Sequence, residues 1–223
     1  MDRSPFALLA PYADHLEAAF LDRSDAVADD ARAEALLGGP IAATEQVHGA
    51  DAVRVRGASA REAKADGMAT DVPGVWLTSR SADCQTFVAY APGARVAGVL
   101  HAGWRGLLAG MIPTFFGLLR REWEIDGGEV LVGAAPSLCG DCSDFTDPAA
   151  ELPGIDPRFF AGTRVHLRGI AEAQLADAGV TADRFERMEG CPRCDPAKWW
   201  SYRGDPANVR RGLRNVLACR VRG

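Results

Sequence analysis

The chain carries only four histidines, and two of them stand in similar places. His48, in Glu45-Gln46-Val47-His48-Gly49, and His101, in Leu100-His101-Ala102-Gly103-Trp104-Arg105-Gly106, each follow a short apolar run and lead into glycine. Cys84, in Ser81-Ala82-Asp83-Cys84-Gln85, lies at a comparable junction, just ahead of the run Thr86 to Tyr90. Strand ends that open into glycine turns let side chains converge, because the backbone is held on one side and bends freely on the other. Two imidazoles and a thiolate form a borderline-soft donor set that suits Zn²⁺, or Cu²⁺ as the alternative, and three protein ligands leave a fourth position for water or substrate. The gaps of 36 and 17 residues match no local metal motif. On residue type alone, hydrogen-bonded strand-end histidines and a small buried thiol are the simpler reading.

A second set is Cys139-Gly-Asp-Cys142 and Cys191-Pro-Arg-Cys194, two C-x-x-C pairs with 48 residues between them. That is the arithmetic of a Cys₄ zinc site, provided the fold brings two distant loops together. Neither pair opens a helix in the thioredoxin manner, which disfavours a redox role. Arginines supply anion chemistry. Arg105 follows His101 by four residues, framed by Gly103 and Gly106, so its guanidinium is placed to pair with a phosphate or carboxylate. Arg203, in Trp199-Trp200-Ser201-Tyr202-Arg203-Gly204, sits among aromatic residues able to hold a planar ring. Asp66 and Asp71 read first as turn residues.

These side chains must be carried by short elements. A helix is expected over Asp29 to Leu37, closed by the turn Gly38-Gly39-Pro40. Strand-type runs follow at Ile41 to Val47, Ala52 to Val55, Val75 to Thr78, Thr86 to Tyr90, Val96 to Leu100 and Val130 to Gly133. The strongest helical pattern is Leu107 to Trp123, in which Leu108, Met111, Ile112, Phe115, Leu118 and Leu119 recur at spacings of three and four. Pro113 is expected to kink this helix or move its start downstream. Further helices are expected over Arg168 to Ala178, capped by Gly179, and over Pro206 to Leu217. Strand runs mixed with helices, without regular β-α-β alternation, favour an α+β fold over a doubly wound one. The absence of a glycine-rich phosphate loop argues against a dinucleotide enzyme or a P-loop NTPase.

Composition agrees with an ordinary globular protein. The 223 residues are 48% hydrophobic and 25% charged, with a formal net charge of −5. No basic cluster offers a footprint for nucleic acid or an anionic membrane, which leaves a small-molecule substrate open. No signal peptide or membrane-length apolar run appears, and six cysteines are too few to staple a chain of this length, so a cytoplasmic location is expected.

The segments QVHGADAV (46–53), ADGMATDVPGVWLTSRSADC (65–84) and HAGWRG (101–106) closely resemble three signature blocks of the bacterial laccase-domain family. VGAAPSL (132–138) and CPRCDPAKWWSYRG (191–204) resemble its remaining blocks. Members are described as multicopper polyphenol oxidases, as zinc-dependent purine nucleoside phosphorylases and adenosine deaminases, or as peptidoglycan editing factors. The resemblance implies a single domain over 1–223 with mixed β-sheets in a sandwich flanked by helices, a fold shared with a class of cysteine hydrolases. It also implies that His48, Cys84 and His101 are the metal ligands, that Cys84 and His101 take part in catalysis, and that Gln46, Arg105 and Arg203 meet substrate. Residues 1–40 depart from the family's opening, Ser143-Asp144 replaces a Tyr-Glu pair, and Gly204 replaces the second arginine of Ser-Tyr-Arg-Arg.

The implied activity is zinc-dependent phosphorolysis of adenosine or inosine and deamination of adenosine. A copper polyphenol oxidase competes with it, but a multicopper centre needs many histidines, and this chain has four. An amidase with Cys84 as nucleophile and His101 as base, editing peptidoglycan precursors, would use the same residues without a metal. A non-catalytic, metal-stabilised binding protein would keep the ligands and lose the substrate residues.

Overall fold

Short apolar runs build two large sheets, beside one two-stranded hairpin, in the computed structural model, which describes residues 1–223. From the N-terminus, β1 (Leu16–Leu21), α1 (Asp30–Leu37), β2 (Ile41–Ala42), β3 (Ala52–Arg54), β4 (Gly67–Thr70), β5 (Trp76–Ser81), β6 (Gln85–Ala91) and β7 (Val96–Ala102) lead to α2 (Trp104–Ala109) and α3 (Met111–Trp123). There follow β8 (Leu131–Ala134), the one-turn α4 (Pro148–Glu151), the hairpin β9 (Phe160–Ala161) and β10 (Arg164–Val165), α5 (Leu167–Asp177), β11 (Phe185–Arg187), α6 (Pro206–Arg210) and β12 (Asn215–Val221). One sheet has the order β1-β12-β5-β2 and the other β11-β8-β6-β7-β4-β3. Both are mixed: β2 with β5, β3 with β4 and β8 with β11 run parallel, and the other pairs antiparallel.

Alternation along each central strand feeds two cores at once. On β6, Phe87, Ala89 and Ala91 turn towards α3 and α5, while Val88 and Tyr90 turn towards the other sheet. On β12, Leu217, Cys219 and Val221 meet that inter-sheet layer, while Val216 and Ala218 meet Ala33 and Leu37 of α1. The result is four layers: α1, the four-stranded sheet, the six-stranded sheet, and α2, α3 and α5. This is the expected α+β sandwich of mixed sheets flanked by helices. With both faces covered, a fully buried Leu or Phe on these strands contributes about 1.5–3 kcal/mol.

Several boundaries differ from expectation. The helix expected over Leu107 to Trp123 is two helices, broken at Gly110, whose φ of +81° is left-handed. Pro113 falls in the first turn of α3, where its missing N–H is harmless. Leu107 is buried and Leu108 exposed, the reverse of the pattern that the spacing gives. The strand expected over Ile41 to Val47 stops at Ala42, and residues beyond it make only isolated bridges. The helix expected over Pro206 to Leu217 ends at Arg210; Gly212 takes a φ of +92°, and the chain then enters β12, which pairs with β1 and β5. Cys219 therefore lies in a buried strand, not at a helix end. No helix is long and apolar enough to cross a membrane.

Candidate functional site

Strand register brings the first constellation together. In the β4–β7 ladder Gly67 faces Leu100, so the next step outward sets Asp66 opposite His101, and the His101 N–H donates to the Asp66 carbonyl at 2.7 Å. In the β6–β7 ladder Gln85 faces Ala102, so the next step outward sets Cys84 opposite Gly103. Cys84 lies on the short link by which the chain crosses from β5 in one sheet to β6 in the other. The centre thus sits where the sandwich opens. Gly103 leaves room for it: a Cβ there would stand 2.9 Å from Cys84 Sγ and 3.1 Å from His48 Cδ2.

His48 arrives on a loop, and a carboxylate holds it. Asp66 Oδ1 accepts the His48 N–H at 3.1 Å, and Oδ2 accepts the N–H groups of Gly49 at 2.7 Å and Val47 at 3.2 Å. His48 adopts a left-handed φ of +60°, and Asp83, next to Cys84, one of +91°. Such conformations cost free energy and persist only where surrounding bonds enforce them. Asp83 is held by the Arg203 N–H, which donates to its carboxylate at 2.7 Å.

The donor atoms of His48, Cys84 and His101 all lie within 4.8 Å of one another. The two imidazole rings meet at 83°, with centroids 4.8 Å apart. His101 is buried, Cys84 half-buried and His48 exposed towards the cleft. Burial alone would raise the Asp66 pKa, but its bonds from His101 and from the Gly49 and His48 N–H groups hold it below the ordinary carboxylate range. An ionised carboxylate can only accept, so His101 Nδ1, 2.8 Å from Asp66 Oδ1, is the donor and Nε2 is left for a ligand. Burial likewise opposes the Cys84 thiolate, yet His101 and His48 outweigh it and bring its pKa down to about 6. The thiolate and Asp66 in turn overcome the effect of burial on His101 and raise its pKa to about 9. Two imidazoles, a stabilised thiolate and a carboxylate orienting one ring fit a three-ligand Zn²⁺ or Cu²⁺ site.

The site opens into a cleft of about 790 Å³ walled by Arg61, Arg80, Arg105, Arg203 and Arg214, against two carboxylates, Glu45 and Asp83. Arg105 stacks on Trp104, its guanidinium carbon 4.1 Å from the ring centroid. Arg203 donates to the carbonyls of Cys142 and Asp144. Gln46 lines the cleft, with its amide engaged by the Arg80 backbone through bonds of 2.9 and 2.8 Å. Burial and the neighbouring Arg61 lower the Arg80 pKa to about 10, so it remains a cation at neutral pH.

The six residues to which the resemblance gives metal, catalytic or substrate roles, Gln46, His48, Cys84, His101, Arg105 and Arg203, all line this one cleft. His15 and His166 belong to neither ligand cluster. Asp66, a turn residue by its sequence context, is the buried hub of the centre; its position in the ADG block was the available signal. Arg80 shares that signal, lying in the same 65–84 block, whereas Arg61 and Arg214 had none, since their cleft is assembled from distant segments.

A family model described as multi-copper polyphenol oxidoreductase laccase matches residues 11–216. The purine nucleoside phosphorylase YlmD of Geobacillus stearothermophilus is 30% identical over 214 residues, 86% of this chain and 78% of that protein. An adenosine deaminase from an unknown prokaryotic organism is 29% identical over 149 residues, 62% of this chain and 56% of that protein. A crystal structure of YlmD from Geobacillus stearothermophilus shares the fold, with a TM-score of 0.80 at 24% identity over 99% of this chain and 94% of that one. The family match along most of the chain, together with a relative 30% identical over most of both sequences, establishes that the chain belongs to the multi-copper polyphenol oxidoreductase laccase family.

Proposed function

We propose that the chain is a zinc-dependent enzyme of purine nucleosides, acting as one domain over 1–223 in the cytoplasm. It catalyses phosphorolysis of adenosine or inosine and deamination of adenosine. The observation that carries this reading is the convergence of His48, Cys84 and His101 at the mouth of a cleft walled by five arginines. The names of its relatives, purine nucleoside phosphorylase and adenosine deaminase, support it.

His48, Cys84 and His101 would hold the ion, which supplies Lewis acidity and lowers the pKa of water. In phosphorolysis a C1′–O bond forms to phosphate as the C1′–N9 bond breaks, and the departing purine takes a proton. Arg105, stacked on Trp104, binds the phosphate and spreads its charge, and Arg203, whose guanidinium is held by the Cys142 and Asp144 carbonyls, adds positive charge to the same wall. In deamination water adds at C6 and ammonia leaves. Asp66 keeps the His101 ring in one tautomer throughout, and Gln46 holds the His48 segment against β5.

Purified protein loaded with zinc and given adenosine or inosine with phosphate should release adenine or hypoxanthine, and adenosine alone should yield inosine. His101→Ala should abolish all three products while leaving the circular dichroism unchanged. Absence of product at every zinc loading sinks the proposal.

One arrangement favours a second reading. Cys84, His101 and Asp66 stand in the order nucleophile, base and orienting carboxylate, as in a cysteine amidase. In that reaction the Cys84 sulfur bonds to the carbonyl carbon, the C–N bond breaks as the amine leaves with a proton from His101, and water then hydrolyses the thioester to release the acid and restore the thiolate. Amide cleavage of peptidoglycan precursors that survives exhaustive chelation would establish it over the nucleoside reading. A copper oxidase finds less support, since only two histidines enter the ligand cluster.

A further inference from the structure

Of the five cysteines that take no part in the centre described above, four stand together. Each C-x-x-C closes a tight turn: the Cys142 N–H donates to the Cys139 carbonyl at 3.1 Å, and the Cys194 N–H to that of Cys191 at 3.0 Å. The two turns face one another across 48 residues of sequence. All four sulfurs lie within 4.8 Å of one another, with Cys142 Sγ 3.5 Å and Cys139 Sγ 3.8 Å from Cys194 Sγ. A disulfide would bring a pair to about 2.0 Å. A tetrahedron with Zn–S bonds of about 2.3 Å has edges of about 3.8 Å, close to the separations seen. The Cys139 N–H points at Cys191 Sγ from 3.4 Å, a bond that favours a thiolate.

We propose that Cys139, Cys142, Cys191 and Cys194 bind a structural Zn²⁺ as a tetrathiolate that staples the 138–144 loop to the 190–204 loop. Two guanidinium groups stand beside the net double negative charge of such a centre, each shared with the Asp144 carboxylate, which lies 2.9 Å from Arg193 and 3.8 Å from Arg203. Arg193 and Arg203 both donate to the Cys142 carbonyl, at 3.3 and 3.2 Å. Arg168 bridges the two loops from beneath, donating to the carbonyls of Ser137, Leu138 and Gly190. Four protein ligands close the coordination shell, so this ion offers no position to a substrate. Its effect is on placement: Leu138 donates its N–H to the Asp83 carbonyl at 3.1 Å, and Arg203 its N–H to the Asp83 carboxylate. The staple thereby fixes two walls of the cleft beside Cys84, independently of which reaction the cleft performs.

The test uses the full chain carrying His48→Ala and His101→Ala, which disables the other ligand set. Loaded with zinc chloride and desalted, it should retain about one zinc per chain by mass spectrometry. Cobalt substitution should give the intense thiolate charge-transfer bands of a four-sulfur tetrahedral site. Adding Cys191→Ser should remove the retained metal. Should that variant fail to fold, Cys194→His, which keeps a Cys₃His set, should bind zinc where Cys194→Ala does not. Retention below about 0.2 zinc per chain by the double variant overturns the proposal. So does an unreduced, denatured, chelated sample in which only two of the six thiols react, since the four sulfurs would then be disulfides.

Discussion

Asp66 shows how much one carboxylate can organise. It is 3% exposed, accepts three consecutive backbone N–H groups and holds His101 Nδ1. An isosteric amide presents one acceptor oxygen instead of two and brings an N–H₂ group against donors. Asp66→Asn should therefore weaken zinc binding at the His/Cys/His centre by about 10–100-fold, because orienting partners of ligand histidines have effects of that size. Competition against a chelating dye would measure this, with the Cys₄ ion serving as the unaffected internal control. An unchanged affinity would mean that His101 is oriented by packing alone.

At the scale of elements, the centre depends on α3 holding the six-stranded sheet in one place. Phe115 lies so close to β7 that a Cβ on Gly98 would stand 2.6 Å from its ring and 2.8 Å from the Met68 carbonyl oxygen. Gly98→Ala should cost about 1–3 kcal/mol, the range for overpacking, and Phe115→Leu in the same chain should recover part of it. Urea midpoints of the single and double variants would show this coupling. The same elements mark the limits of reading by pattern. The Leu107 to Trp123 periodicity located α3, which starts at Met111, but the break lies at Gly110 and not at Pro113, and Leu107 belongs to α2. The arginine-bearing stretch after Pro206 has helical composition, but Gly212 ends it and β12 is recruited into a sheet by pairing with β1 and β5. Local propensity yields to tertiary pairing of that kind because the partner strands are far away in sequence.

For the whole molecule, a net charge of −5 coexists with a cationic cleft. Concentrating arginines there creates local positive potential within an acidic protein, and that potential is screened by salt. Arg105→Ala should raise KM for phosphate several-fold with little change in KM for the nucleoside, and raising ionic strength should reproduce part of the effect in the wild type. Stability has its own electrostatic support on the four-stranded sheet, where Glu17 of β1 pairs with Arg220 and Arg3, each at 2.7 Å, and with Arg222 at 3.3 Å. Burial alone would raise the Glu17 pKa, but the three arginines hold it below its ordinary value. A carboxylate depressed in this way stabilises the fold above its unfolded pKa of about 4.3, and the contribution is lost as pH falls through the lower folded value. Glu17→Gln should thus be less stable than wild type at neutral pH, and the gap in melting temperature should narrow below about pH 4.

Patterns within single segments give the α+β class, the family blocks, and the chemical identity of the donors: two imidazoles before glycine turns, a thiol at the head of a strand, two C-x-x-C pairs, and an arginine four residues after His101. Those are local properties, set by residue type and short spacing. Folding alone closes the 36- and 17-residue gaps into one centre, makes Asp66 its hub, walls its cleft with distant arginines and brings the two cysteine turns together. The physical reason is register. Once β4, β6 and β7 pair, residues far apart in sequence become neighbours a few ångströms apart, and no periodicity within any single segment records that pairing.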